Sequence, residues 1–355
     1  MLTIDSDSMK IAYIVSSLAN SGPVIVVCDL VSMMLKHGHE VEVFYFDDKV
    51  ELDFPCATHR ITMRTRFRFA DFDLVHCHGW RPDVYVLLHK PFFCKTPVCT
   101  TIHSYMFRDH AYKYGKWQSR ITVRLVLAST FRDDKIILLS KDMQRYYEKY
   151  LPECKLTYAY NSRICNTGSG LGEAEKKELL AFKGDSILLC SVSGLNHVKG
   201  LHQIIRALPQ LPHFKYCIVG DGAERNYLAD LAVRLNVEDR VLFVGRKPAG
   251  FRYLSLADVF VMPSYSEGFP LAMLEAASMG KASVCSDIPV FREIFSEDEI
   301  VMFDLDNCHS LQNALLYASD KRTELGDNMH RKFMRTYSPE CFYNRHIEIY
   351  QNLIH

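Results

Sequence analysis

Short apolar runs alternate with amphipathic stretches along most of this 355-residue chain. Ile11 to Ser16 reads as a buried strand, Val24 to Lys36 as an amphipathic helix and Val41 to Phe46 as a second strand. Asp73 to His76, Val98 to Ile102 and Lys135 to Leu139 continue the pattern, and a second series runs through Ile187 to Val192, Tyr216 to Val219, Val241 to Val244, Val259 to Met262 and Ala282 to Cys285. Strands that alternate with helices belong to parallel sheets, so the expected class is α/β with two doubly wound sheets in succession. Asn161 to Gly184, with Asn166-Thr167-Gly168-Ser169-Gly170 and the charged Glu173 to Glu178, reads as the linker between them. The expected units are therefore 9–160 and 185–335, joined by 161–184, with a last helix in 336–355.

The segment from Pro263 to Gly280 carries the most chemistry. A strand ends at Met262, a loop follows with Glu267, and a helix opens at Pro270 and closes at Gly280. The helix is apolar almost all round yet holds Glu275. A buried carboxylate is costly unless hydrogen-bonded, so Glu275 needs a structural partner or a ligand hydroxyl. The helix N-terminus is an anion site, and together these features suit a ligand that is part phosphate and part polyol.

The spacing Glu267-x7-Glu275, the Glu-Gly-Phe-Pro turn, Gly280, the strand Ala282 to Cys285 and Ser286-Asp287-Ile288-Pro289 leading to Glu293 resemble the donor-sugar motif of the family 4 retaining glycosyltransferases. The resemblance covers nearly the whole chain and is strongest from Ser191 to Phe295. It implies the GT-B fold: two Rossmann-like domains facing each other across a cleft, with the last helix crossing back onto the first. It implies a nucleotide-diphosphate sugar as donor, a saccharide or lipid-linked saccharide as acceptor in surface polysaccharide assembly, and neither cofactor nor metal. By the same resemblance Glu267 approaches the donor sugar's hydroxyls, Glu275 holds the ribose, and Gly268, Phe269, Leu271 and Ala272 turn backbone N–H groups toward the diphosphate. The alternative for Glu275 is an ion pair with a buried arginine. The resemblance further implies that Lys199, in Asn196-His197-Val198-Lys199-Gly200, neutralises the leaving diphosphate, that Gly22, Gly220 and Gly245 line the donor and that His103 holds its sugar. Family members carry an Arg shortly before this Lys. Here Ser193-Gly194 stands in its place, and Arg246 is the candidate replacement, with a place beside the base as its other reading.

Composition changes little: 48% apolar and 24% charged residues, with Lys+Arg 42 balancing Asp+Glu 42, describe a globular chain without the charge of a nucleic-acid binder. Twelve cysteines without a Cys-x2-Cys pair point to a reducing compartment. No run of about 18 apolar residues or secretion signal is present, so the expected location is the cytoplasm. His76-Cys77-His78 is not read as a metal site, because a strand sends its histidines and its cysteine to opposite faces.

Arg60, Arg64, Arg66 and Arg68 are interleaved with Phe67 and Phe69, and Lys113, Lys116, Arg120 and Arg124 share a helical stretch with Trp117, Ile121 and Leu125. Both patterns suit peripheral contact with the cytoplasmic membrane face, or an ordinary solvated face. Asp71-x-Asp73 and Asp304-x-Asp306 read as turn residues rather than as a metal-binding pair. The rival functions are a nucleotide-sugar epimerase or a phosphorylase on the same fold, or a catalytically silent sugar-nucleotide binder.

Overall fold

The computed structural model describes residues 8–108, 116–165 and 170–355. The chain divides into two compact units, one of residues 1–162 with 338–355 and the other of 163–337. The first holds a seven-stranded sheet in the order β3 (Ala57–Arg60), β2 (Glu40–Tyr45), β1 (Lys10–Val15), β4 (Leu74–His78), β5 (Val98–Ile102), β6 (Lys135–Leu138), β7 (Leu156–Tyr158). The second holds a six-stranded sheet in the order β10 (Val241–Gly245), β9 (Phe214–Val219), β8 (Ile187–Val192), β11 (Val259–Met262), β12 (Ala282–Ser286), β13 (Val301–Phe303). Every pairing of neighbouring strands is parallel. These are two doubly wound Rossmann-like sheets.

Each order reverses direction once, between β1 (Lys10–Val15) and β4 (Leu74–His78) in the first sheet and between β8 (Ile187–Val192) and β11 (Val259–Met262) in the second. At such a switch point the loops off adjacent strands run to opposite sides and leave a crevice beyond the strands' carboxyl ends. The central strands are covered on both faces: β4 and β5 (Val98–Ile102) are buried at every position. In the second unit Leu189, Tyr216, Ile218, Val261 and Val284 form one core with Ile204, Leu228 and Leu315 from the covering helices.

Three strands lie outside the apolar runs expected from the sequence: β3 (Ala57–Arg60), β7 (Leu156–Tyr158) and β13 (Val301–Phe303). All are outermost in their sheets and only three or four residues long, and β3 is exposed at every position. The interval 161–184, expected as linker, contains the helix Glu173–Lys183 inside the second unit. Glu173 and Glu175 in its first turn and Lys183 in its last complement the helix dipole, and Gly184 ends it at φ +53°. Only Leu179 on it is buried, which is why its composition reads as solvent-facing.

In the basic interval Arg60–Arg68, Arg64, Arg66 and Arg68 are exposed, whereas the rings of Phe67 and Phe69 pack inward. Phe69 is buried, and Phe67 packs on Phe44, Phe69 and Phe72, so these rings belong to the core of the first unit. Arg60 pairs with Asp48 at 3.0 Å. Of the second basic stretch, Lys113 lies outside the described residues; Arg120, Ile121, Arg124 and Leu125 are exposed on the helix Lys116–Ser129.

Candidate functional site

In the second unit the loops after β8 and β11 are tied together by backbone. The amide of Tyr265 donates to the carbonyl of Val198 at 2.8 Å. Gly200 sits at φ +63°, where a Cβ would meet the carbonyl oxygen of Pro263 at 2.1 Å, so only glycine permits this approach. Gln203 completes the tie: its Nε2 donates to Pro263 O at 2.9 Å and its Oε1 accepts from the amide of Asp306 at 2.9 Å. Lys199 and Glu267 project from these joined turns. Nζ of Lys199 donates to Oε1 of Glu267 at 2.7 Å, and Ser264 Oγ donates to the same oxygen at 2.6 Å. The family resemblance implies a separate role for each residue; the structure brings them together as one pair.

Beyond this loop Pro270 caps the helix Leu271–Ser278 without a side-chain hydrogen bond. The N–H groups of Leu271 and Ala272, in its first turn, have no intrahelical acceptor, which makes this end electropositive. Phe269 is buried edge-on against Tyr337, and Gly268 is half-buried before it. Glu275 lies one turn into the helix and meets Arg163, whose Nε donates to its Oε1 at 2.9 Å with both side chains 11% exposed. Of the two readings of Glu275, the structure contains the ion pair with a buried arginine.

Gly220 and Gly245 end β9 (Phe214–Val219) and β10 (Val241–Gly245) and face each other, the amide of Gly220 donating to Gly245 O at 2.9 Å. A Cβ on Gly220 would fall 1.8 Å from the carbonyl oxygen of Ser193, and one on Gly222 2.3 Å from that of Leu195. The glycine turn thus closes over the Ser193-Gly194 backbone that replaces the expected arginine. Arg246 follows as an exposed residue.

The first unit has its own pocket at the switch point, a cavity of about 330 Å³ lined by Ser16, Ser21, His78, Thr101, His103 and Ser104 among others. Gly22 is the exposed first residue of the helix Gly22–Lys36 at its rim, beside the lining residues Ser21 and Pro23. Nδ1 of His78 and Nε2 of His103 are 2.9 Å apart. Burial pulls His103 down to about 4 and His78 well below the ordinary histidine value, so both rings are neutral at pH 7 and share one proton in that bond. Whichever ring donates, the pair keeps one further donor and one further acceptor, on His103 Nδ1 and His78 Nε2. The latter is buried without a hydrogen-bond partner. His78, at the strand end His76-Cys77-His78-Gly79, therefore shares the pocket with His103. His76 does not, since its ring is spent on Tyr350 Oη at 2.6 Å and Thr101 Oγ1 at 2.8 Å. Asp83, also on the cavity wall, accepts from Thr100 at 2.7 Å and is pushed up to about 7 by burial.

Comparison with known proteins agrees with this layout. The model described as Glycosyltransferase Family 4 matches residues 20–162, and that described as Glycosyl transferases group 1 matches residues 173–333. An O-antigen biosynthesis glycosyltransferase, WclY of Escherichia coli, is 32% identical over 351 residues, covering 97% of this chain and 99% of the relative. An N-acetylgalactosaminyltransferase of Campylobacter jejuni, named for a diacetylbacillosaminyl-diphospho-undecaprenol substrate, is 32% identical over 158 residues, 44% of this chain and 41% of its own. Among solved structures, Anabaena HepE in complex with UDP and glucose superposes with a TM-score of 0.81 at 18% identity, covering 96% of this chain and 99% of that one. The fold is GT-B.

Proposed function

The chain belongs to the family 4, group 1 glycosyltransferases, and from that premise we propose that it is a retaining, metal-independent enzyme that moves a sugar from a nucleotide-diphosphate donor to a lipid-linked saccharide. The observation that carries this reading is the Lys199–Glu267 pair, held beside the N-terminal end of the helix Leu271–Ser278 by the Gly200–Pro263 contact. Lys199 and the amides of Gly268, Phe269, Leu271 and Ala272 offset the charge that builds on the leaving diphosphate, the task that a metal performs elsewhere. Glu267 and the neutral His103 take sugar hydroxyls. Gly22, Gly220, Gly245 and Arg246 border the nucleotide.

In the transfer step the bond from the anomeric carbon to the diphosphate breaks as the acceptor oxygen bonds to the same face of that carbon. The acceptor's proton passes to a diphosphate oxygen. Position and charge are the protein's contribution, so no protein nucleophile is needed. A lipid-linked acceptor is favoured by the name of the Campylobacter jejuni relative and by an apolar face on the first unit. There Phe92 and Phe93 are 90% and 98% exposed, with Arg132 over the Phe92 ring at 4.9 Å and Lys155 over the exposed Phe131 at 5.7 Å. Aromatic and cationic side chains side by side suit an anionic bilayer surface. Among the described residues no helix is long and apolar enough to cross a membrane.

The deciding experiment supplies UDP-sugars with α anomeric bonds and a diphospholipid saccharide acceptor in the presence of a chelator, and reads the product's anomeric coupling. An α product is expected. A β product overturns retention, and transfer that is lost in chelator and restored by manganese overturns metal independence. Sedimentation with anionic vesicles tests the apolar face: it should weaken in the Phe92→Ser, Phe93→Ser double variant, and equal sedimentation of both proteins rules that face out.

A further inference from the structure

His197 stands two residues before Lys199, and His202 is the first residue of the helix His202–Ala207. Their rings are nearly parallel, with centroids 5.4 Å apart. His197 is exposed, whereas His202 is 4% exposed. Nε2 of His202 lies 3.3 Å from the hydroxyl of Tyr265, and that hydroxyl donates to Oδ1 of Asp306. A phenol has one proton. With it given to Asp306, the Tyr265 oxygen meets His202 as an acceptor, so Nε2 carries the ring hydrogen and Nδ1 is a bare lone pair. That Nδ1 is buried and has no hydrogen-bond partner.

The carboxylate of Glu224, on the loop after β9, approaches the same place. One ligand atom from each of His197, His202 and Glu224 lies within 4.8 Å of the other two. A tetrahedral ion about 2.1 Å from each ligand needs them roughly 3.4 Å apart, so the three side chains must draw closer to hold it. We propose that His197, His202 and Glu224 bind one divalent transition-metal ion of the zinc class. Two imidazoles and one carboxylate suit zinc, cobalt or nickel, with a water in the fourth position, and are a poor set for magnesium, which prefers oxygen. The Tyr265–Asp306 relay behind His202 is the outer hydrogen-bonded chain that orients a metal-bound imidazole. Arg206 acts against positive charge at His202, and Asp306 acts for it.

The ion joins the Lys199 turn, the start of the next helix and the loop that follows Gly220. It acts as a clip on the turn and takes no part in the transfer chemistry. Metal-stripped protein titrated with Co²⁺ tests the site, because cobalt reports both geometry and ligand type. That matters in a chain with twelve cysteines, of which Cys154 and Cys308 are exposed. The expected result is one equivalent bound with visible tetrahedral bands and no near-ultraviolet thiolate band, displaced by Zn²⁺ and accompanied by a rise in thermal midpoint. His197→Ala and Glu224→Gln change accessible side chains, should melt like the wild type without metal, and should each bind at least roughly tenfold more weakly. No saturable binding, a thiolate band on the bound ion, or undiminished binding in both variants would overturn the site.

Discussion

Nζ of Lys199 and Oε1 of Glu267 are 2.7 Å apart across 68 residues of sequence, so the cation assigned to the diphosphate and the carboxylate assigned to the sugar hold each other in position. Glu267→Ala leaves Lys199 without this partner, and Lys199→Ala leaves a largely buried carboxylate without its cation. Each single variant should lose roughly 10²-fold in kcat/KM, the scale for one pre-placed electrostatic group. Because they act as a unit, the double variant should fall little further than the worse single one. Steady-state kinetics on all four proteins checks this, and additive losses would show two independent roles.

The Arg163–Glu275 pair gives Glu275 a part in stability. Removing one partner of a buried pair strands the other charge at a cost of about 3 kcal/mol, whereas exchanging both for apolar residues is nearly neutral. Glu275→Leu should therefore lower denaturant stability by about that amount, and adding Arg163→Met should recover most of it. Unchanged unfolding in Glu275→Leu would return this residue to ligand binding alone.

Gly200→Ala should damage the Lys199 turn. The left-handed backbone costs an alanine about 1–2 kcal/mol, and its Cβ would meet Pro263 O at 2.1 Å. Gly38→Ala is the control, with φ +85° but nothing within 4 Å of the added carbon. Both variants should melt lower than the wild type, and only Gly200→Ala should raise the donor KM.

Asp83 gives a pH signature. Its folded value, raised by burial to about 7 from 3.8, means that its contribution to stability is fully present below pH 3.8 and is lost as pH rises through 7. Asp83→Asn keeps the acceptor for Thr100 and has nothing to ionise. Its stability relative to the wild type should thus rise between pH 5 and pH 8, where the wild-type carboxyl is forced to ionise in the core. His103 and His346, both near 4, titrate with the opposite sign: the stability they support is present above pH 6.5 and is lost as pH falls through 4. Both proteins carry them, so they cancel in the difference. Melts at the two pH values check the sign.

The buried strands β5, β8 and β11 were legible to the residue because each is a short run of apolar and β-branched residues, with Ser191 the one small polar exception, closed by a turn. β3 was not, since a strand exposed at all four positions shows no hydrophobic period. Lys199 and Glu267 were legible as chemistry but not as a pair, and for Glu275 an arginine partner was legible but not which arginine. Arg163 lies 112 residues from Glu275, and only the folded chain brings them together. The packing of Phe67 and Phe69 was hidden for the same reason: interleaving with arginine is visible in sequence, and the Phe44 and Phe72 rings they pack on are not. His78 did leave a signal. It pairs in register with Thr101, two residues before His103, on the neighbouring strand.

The helix Pro339–Ile354 belongs to the first unit, where Tyr350 meets the hydroxyl of Tyr13 at 3.1 Å and the ring of His76 at 2.6 Å. On the ribosome that arrangement sets an order of events. The second unit, continuous in sequence, is fully synthesised while the first still waits for its last helix. Until residues 338–355 emerge, the waiting sheet lacks the phenol that satisfies His76 and Tyr13 and must bridge the interval with water. Completion of the first unit is thereby tied to synthesis of the second.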